Sequence, residues 1–267
     1  MTTLAAHFGL GASVDELLEQ TRALVRKEPA VVKHRVSLFQ LLSIDGQWDK
    51  ALTQLNVLSD LDKETESMVG TYREVLRCEL LRAEVFAGKR TPLFVGEPDD
   101  WVAKLVEALR ATAGGKFAEA AVLRAQAFEA APARSGSING DAFEWIADAD
   151  ARLGPVVEAL VNGKYCWIPF QRLDGLEIEA PCDLRDFVWC PAVFTFAGGG
   201  EQMGFIPTRY PGSETSLDEA IRLSRKTEWD DLGAETYSGR GQRMLATDSG
   251  DYALLDTRSI KLDAAAD

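Results

Sequence analysis

The sequence predicts an α+β protein: an N-terminal tetratricopeptide-like helical superhelix followed by a mostly β, small-barrel-like domain with helical insertions. Three observations carry this reading. Through the first half, apolar residues return every three or four positions, as on one face of a helix. A Gly-x-aromatic-x-x-Ala pattern occurs there twice, as Gly46-Gln-Trp48-Asp-Lys-Ala51 and Gly115-Lys-Phe117-Ala-Glu-Ala120. The two glycines are 69 residues apart, twice the repeat of about 34 residues found in tetratricopeptide arrays. After a small, polar, Gly-rich stretch at 133–140, the pattern changes to short aromatic and β-branched runs divided by turn residues. The expected domains are therefore 1–135, helical, and 141–267, α+β.

The first helix is expected after Ser13, an N-cap whose capping box is completed by Glu16, with Leu17, Leu18, Leu24 and Val25 on its apolar face. Val36, Phe39 and Leu42 mark the next helix, and Leu52, Leu55, Leu58 and Leu61 the one after the Gly46 turn. In such a pair the glycine turns the chain, the aromatic packs in the elbow and the alanine lets the helices approach. Pro29, Pro98 and Pro132, spaced by 69 and 34 with Lys63 at the vacant place, are expected to stop second helices. Tyr72, Val75, Leu76, Leu80 and Val85 continue the period until Thr91–Asp100 breaks it. With the glycines at the turns, Lys33, Val36 and Gln40, and Val102, Leu105 and Leu109, share the inner face of each first helix. They are candidate partner-binding residues. The alternative is that they pack against the second domain.

In the second half, Gly154 to Asn162 reads as a helix with Pro155 in its first turn and Asn162-Gly163 as its stop. Lys164–Phe170, Leu176–Glu179, Phe187–Ala197 and Gln202–Tyr210 read as strands, with Gly198-Gly-Gly200 as a hairpin turn. Ser216–Arg225 returns to helix, and Arg243–Ile260 alternates around a second hairpin signal, Asp248-Ser-Gly250.

Composition narrows the function. With 46% hydrophobic and 27% charged residues the chain is a globular one with room for a core. It has no run of eighteen apolar residues and no signal-peptide pattern at Met1–Phe8, so neither membrane insertion nor export is expected. Cys78, Cys166, Cys182 and Cys190 have no C-x-x-C spacing and are expected to be free, buried thiols. The net charge of -13 is uneven: residues 1–135 carry -2 and residues 136–267 carry -11. Such a field repels nucleic acid and anionic lipid and favours a basic partner.

Little in the chain points to catalysis. The two histidines, His7 and His34, both lie in the helical half, so a nucleophile in the β-rich half would lack a nearby base. Neither His nor Cys has metal-ligand spacing, and Gly198-Gly-Gly200 is not followed by the Gly-Lys-[Ser/Thr] of a phosphate loop. No catalytic residue, metal or cofactor is expected. Asp148 and Asp150 near Trp145 could serve as a carboxylate pair for glycoside hydrolysis. The stronger reading is a solvated helix end, with Glu144 and Asp148 on one face and Arg152 pairing with Asp148. Glu144, Asp148 and Asp150 then form an acidic rim beside Trp145, the contact candidate among the tryptophans. Arg209-Tyr210-Pro211-Gly212 is either a type II turn or a tip that shows Arg209 or Tyr210 to a partner.

Four blocks occur in order: Trp145-Ile-Ala-Asp148-Ala-Asp150-Ala-Arg152-Leu-Gly154-Pro155, Tyr165-Cys-Trp167-Ile-Pro169-Phe170, Asp183-Leu-Arg185-Asp186-Phe-Val-Trp189, and Gly204-Phe-Ile-Pro207-Thr-Arg209-Tyr210-Pro211-Gly212-Ser213-Glu214. Together they resemble the ImpE/TagJ family, accessory proteins of bacterial type VI secretion. The resemblance covers nearly the whole chain and is densest over 141–260. It implies a cytoplasmic, non-enzymatic adaptor. It implies binding to the N-terminal helix of the small contractile-sheath subunit, acting on sheath assembly or on recycling by the secretion ATPase, without a cofactor. A generic tetratricopeptide scaffold of another complex, or a carboxylate-dependent carbohydrate-active enzyme, are the alternatives.

Overall fold

Two glycine elbows organise the helical half of the structure, a computed structural model that describes residues 13–264. His7 lies outside the described residues. Helix α1 (Val14–Lys27) opens on the expected Ser13–Glu16 capping box. Helices α2 (Val32–Ile44) and α3 (Trp48–Leu61) form one hairpin, α5 (Asp100–Ala113) and α6 (Phe117–Ala130) another, and α4 (Glu66–Phe86) lies between them in sequence. At the first elbow Gly46 has φ +68, its N–H bonds to Ser43 O at 3.2 Å, and the Gln47 N–H bonds to Leu42 O at 2.9 Å. At the second, Gly115 has φ +73, with N–H bonds from Gly115 to Thr112 O at 3.0 Å and from Lys116 to Ala111 O at 2.9 Å. Both are Schellman ends, which need a left-handed residue where glycine carries no Cβ penalty. Ala51 and Ala120 are fully buried, which permits the close helix approach. Pro29 and Pro132 follow α1 and α6 as expected, whereas Pro98 precedes α5 rather than ending a helix.

The second half contributes strands β2 (Gly136–Ile138), β3 (Asp141–Phe143), β4 (Ile146–Asp148), β5 (Val156–Val161), β6 (Lys164–Pro169), β7 (Leu173–Ile178), β8 (Trp189–Phe196) and β9 (Glu201–Pro207). After the short helix α7 (Glu219–Arg222) come β10 (Thr227–Asp231), β11 (Tyr237–Gly241), β12 (Met244–Thr247), β13 (Asp251–Ala253) and β14 (Ser259–Leu262). Nine strands form one sheet in the order β1-β6-β5-β9-β8-β7-β14-β2-β3, where β1 (Leu93–Phe94) runs parallel to β6 from the proline-rich segment after α4. The described strands leave this sheet open, with edges at β1 and β3, so the small barrel expected from the sequence is not closed. Two small sheets, β10-β11 and β13-β12-β4, complete the β-rich half.

Five local expectations are corrected. Residues 156–161 are strand, not helix, because Val-Val-Glu-Ala-Leu-Val is rich in β-branched residues and is buried along its full length. Asn162-Gly163 is a hairpin turn rather than a helix stop, with φ of +51 and +69 at the two residues, the type I′ signature. Residues 141–148 form β3 and β4, so Glu144 and Asp148 do not share a helix face. The Gly-rich stretch 133–140 carries β2, and the helix expected over Ser216–Arg225 shrinks to the four residues of α7, leaving Leu217 fully exposed. The hairpins at Gly198–Gly200 and Asp248–Gly250 form as expected.

Alternation along the strands divides the apolar residues between two cores. Leu160, Tyr165, Trp167 and Trp189 join Phe39, Leu55, Val102, Leu105 and Leu109 in a cluster shared by helices and sheet. Val157, Ile168, Phe194, Ile206 and Ile260 face the other way, into a cluster made within the β-rich half.

Candidate functional site

Strand β5 places a carboxylate where the first core would otherwise be apolar. Glu158 has no solvent exposure. An unpaired charge there would cost several kcal/mol, so it must be matched. Arg82 of α4 does so with a fork, Nε to Oε1 at 2.7 Å and Nη2 to Oε2 at 2.9 Å. The Tyr165 hydroxyl donates to the same carboxylate and itself accepts the Trp167 Nε1 hydrogen at 2.7 Å. Arg243, ahead of β12, bonds both Glu158 and Asp148, and its Nε donates to Pro207 O at 2.9 Å. Asp148 accepts further bonds from the Tyr210 hydroxyl at 3.0 Å and from the Asp150 N–H at 2.8 Å. Asp150 holds Arg152 through Nε at 2.9 Å and accepts the Gly239 N–H at 2.9 Å. Beside this, Glu79 of α4 accepts the Trp189 Nε1 hydrogen at 2.9 Å and lies 3.6 Å from Arg82.

The chain of contacts joins helix α4 to residues of β4, β5, β6, β8, β9 and β11 and to the segment 207–210, and arginines stand between most of its carboxylates. The electrostatics follow from that. Burial alone would raise the Glu158 carboxyl, but Arg82 and Arg243 outweigh it and bring the group down from 4.5 to about 2. Asp148 differs: burial exceeds the pull of Arg243, Asp150 adds repulsion, and its carboxyl rises from 3.8 to about 6. Burial pushes the Tyr165 and Tyr210 hydroxyls well above their ordinary range, so both act as neutral donors.

Arg209 has a different role. Its Nη1 donates to Ile44 O at 2.7 Å and Arg222 O at 2.6 Å, and its Nη2 to Ser43 O at 3.0 Å. These carbonyls end α2 and α7, so one buried guanidinium caps two helices at their negative ends. Among the described residues no carboxylate bonds it directly, and burial lowers its pKa from 12.5 to about 10. The next residues make the type II turn: Ser213 N–H bonds to Tyr210 O at 3.3 Å, and Gly212 has φ +87. Arg209 and Tyr210 therefore point inward, at 2% and 0% exposure, and are not displayed at a tip.

The other residues singled out from the sequence separate into two sets. Val102, Leu105 and Leu109 are fully buried in the shared core, the inward packing that was the alternative to a partner face. Gln40 is buried as well, Val36 is half-buried against the same core, and Lys33 is exposed. Asp148 and Asp150 belong to the interior network, and Arg152 pairs with Asp150, not Asp148. Of that acidic rim only Glu144 faces solvent, beside Trp145, which is 42% exposed. The sequence reading missed Arg82, Glu79, Glu158, Tyr165 and Arg243. One signal was available: a lone Glu inside Val-Val-Glu-Ala-Leu-Val is a charge that needs a partner. The cysteines are all free, three of them buried and Cys182 exposed.

Comparison with known proteins identifies the family and the fold. The family model described as ImpE protein matches residues 140–261, the part of the chain that holds most of the network. The type VI secretion system accessory component TagJ of Pseudomonas aeruginosa is 46% identical over 250 residues, covering 94% of this chain and 88% of that protein. A crystal structure of a protein from Vibrio parahaemolyticus superposes with a TM-score of 0.86 at 25% identity, covering 94% of each chain. Likeness over nearly the full length, together with the four blocks in order, places this chain in the ImpE/TagJ family.

Proposed function

We propose that this chain is a non-enzymatic adaptor of a bacterial type VI secretion system. In this reading it binds the N-terminal helix of the small contractile-sheath subunit, and so acts on sheath assembly or on recycling by the secretion ATPase. The observation that carries the reading is the 46% identity with a type VI secretion accessory component through 94% of the chain. The site geometry supports it. Asp148, Tyr165, Arg209 and Tyr210 of the family blocks bond, together with Arg82, Glu158 and Arg243 from outside them, to one another and to backbone carbonyls, which makes a rigid joint between helices and sheet. The net -11 of residues 136–267 suits a basic partner. Among the described residues no helix is long and apolar enough to cross a membrane, and a cytoplasmic place fits an adaptor of the sheath.

Within this reading residues 1–135 act as a degenerate tetratricopeptide-like unit and 141–267 as the family domain. Lys33 and Val36 on α2, and Glu144 and Trp145 on the β3–β4 connection, remain open to a partner. Glycoside hydrolysis is disfavoured by placement: Asp148 and Asp150 are 3% and 0% exposed, with arginines against both. A scaffold for an unrelated complex is separated by experiment. The chain, immobilised, should retain the recombinant small sheath subunit and lose it when that subunit lacks its N-terminal helix. Equal retention of both forms, or of neither, contradicts the proposal.

A further inference from the structure

A partly open cavity of about 530 Å³ lies where the α6–β2 connection meets the 3-10 turn Phe170–Arg172 and the start of α5. None of the network residues lines it. Its polar wall is Asp99, Arg134, Ser135, Gln171 and Arg172, with Pro132 on an apolar side. Two arginines against one aspartate leave that wall positive in a chain of net charge -13. Arg134 is 8% exposed, and a buried cation needs a matching charge. Within the network Arg82 and Arg243 bond carboxylates directly, and Arg209 caps two helices. Arg134 has neither kind of partner. Its Nη1 donates to Gln171 O at 3.0 Å and its Nη2 to Asp263 O, carbonyls that end no α-helix. The carboxylate paired with it, Asp174, stands 3.6 Å away and is half-exposed. Its Nε makes no hydrogen bond among the described residues. Arg172 is held loosely: its Nη2 reaches Glu97 O at 3.3 Å and Asp99 Oδ2 at 3.2 Å, and both side chains of that pair are partly exposed. Such pairs contribute little. Asp99 begins α5, yet its side chain makes no cap bond and turns instead to Arg172 and to Gln171 Nε2. A carboxylate of the chain itself therefore already rests on this wall, bonded by a guanidinium and an amide.

We propose that this cavity binds a small oxyanion, the carboxylate or phosphate group of a metabolite-sized ligand, between Arg134 and Arg172. The anion takes the place of the Asp99 carboxylate on Arg172 and Gln171. Its charge also offsets that of Arg134, which the chain leaves only partly matched. Arginine suits this task because its planar fork meets carboxylate and phosphate oxygens two at a time. The volume falls within the range of about 300–1,000 Å³ usual for small-ligand sites. Arg134 and Ser135 lie on the connection between the helical and β-rich halves, and Gln171 and Arg172 lie beyond it. A bound anion thus ties that connection to the sheet, whether or not the adaptor reading holds.

The test is calorimetric titration of the full chain with sodium phosphate and, separately, sodium succinate, at an ionic strength held constant with sodium chloride. Thermal melts at saturation accompany it. The proposal expects at least one of the two anions to bind saturably, one per chain, and to raise the melting temperature. The anion that binds identifies the group. Arg172→Gln should weaken binding roughly tenfold or more, as expected for loss of a charged hydrogen-bond donor. Asp99→Asn removes the competing charge and keeps a good N-cap residue, so it should tighten binding several-fold. Lys116→Gln, which removes an exposed cation at the α5–α6 elbow, should leave binding unchanged. Absence of binding by either anion overturns the site. So does native-strength binding by Arg172→Gln, or unchanged or weaker binding by Asp99→Asn. An equal loss in Lys116→Gln overturns it too, since that marks a diffuse charge effect.

Discussion

At the residue scale, Glu158 and Arg209 show how this fold matches charges that it buries. Glu158 is matched by two arginines from different elements, so removing either leaves a buried charge. Arg243→Met is expected to lower stability by about 3–5 kcal/mol, measured by urea denaturation, while Glu158→Gln with Arg82→Met together should lose less than the two singles added. The pH dependence has a defined sign. Glu158 is depressed from 4.5 to about 2, so its contribution is present above pH 4.5 and is lost as pH falls toward 2. Asp148 is raised from 3.8 to about 6, so its contribution is full below 3.8 and declines as pH rises through 6. Stability measured against pH should therefore lose its acid-side slope in Glu158→Gln and its decline between pH 4 and 6 in Asp148→Asn. Unchanged profiles would contradict the electrostatic account. Arg209→Lys tests the double cap. One ammonium cannot follow the planar fork to three carbonyls, and the variant should lose roughly 2 kcal/mol, seen as a drop in Tm of several degrees. Arg209 and Tyr210 were recognisable in the sequence as important, yet their inward direction was not. A Pro-Gly turn fixes the backbone reversal but not which side the preceding side chains take.

At the element scale, the glycine elbows could be read directly because a Schellman end has a strict local requirement, a left-handed residue after the last turn. The segment after Gly154 could not be read so simply. Pro155 fits a first helical turn, and Asn162-Gly163 fits both a helix end and a type I′ hairpin. Tertiary burial on both faces of β5 decided for strand. The same ambiguity hid Glu158, since a helix would have turned it toward solvent. Gly163 checks the turn: it has φ +69, and an added Cβ would stand 3.1 Å from the Glu74 carboxylate. Gly163→Ala is expected to reduce stability by about 1–2 kcal/mol, while Asn162→Gly, which keeps the turn type, should change it little. Equal effects at the two positions would argue against a type I′ turn.

At the scale of the whole molecule, helices and sheet share one apolar cluster, and the buried ion chain crosses the same boundary. The first-helix faces that the repeat pattern set aside for a partner are partly used by this junction, as Val102, Leu105 and Leu109 show. Sequence periodicity reveals that a face is apolar, but not whether another part of the chain or a different protein covers it. What a partner can feel from outside is the surface charge, and its imbalance was visible in composition: -2 over residues 1–135 against -11 over residues 136–267. Asp148 and Asp150 contribute to that count but are neutralised inside, so exposed carboxylates such as Glu144 and Glu179 must provide the field. At ~0.15 M salt the screening length is about 8 Å, so only carboxylates near the contact act on an approaching helix. The most direct test of the adaptor account is the association rate of the native chain with the small sheath subunit, followed by surface kinetics as ionic strength rises. The account predicts saturable binding whose association slows clearly with salt while dissociation stays nearly constant. An absence of binding, or an association rate that does not respond to salt, would contradict it.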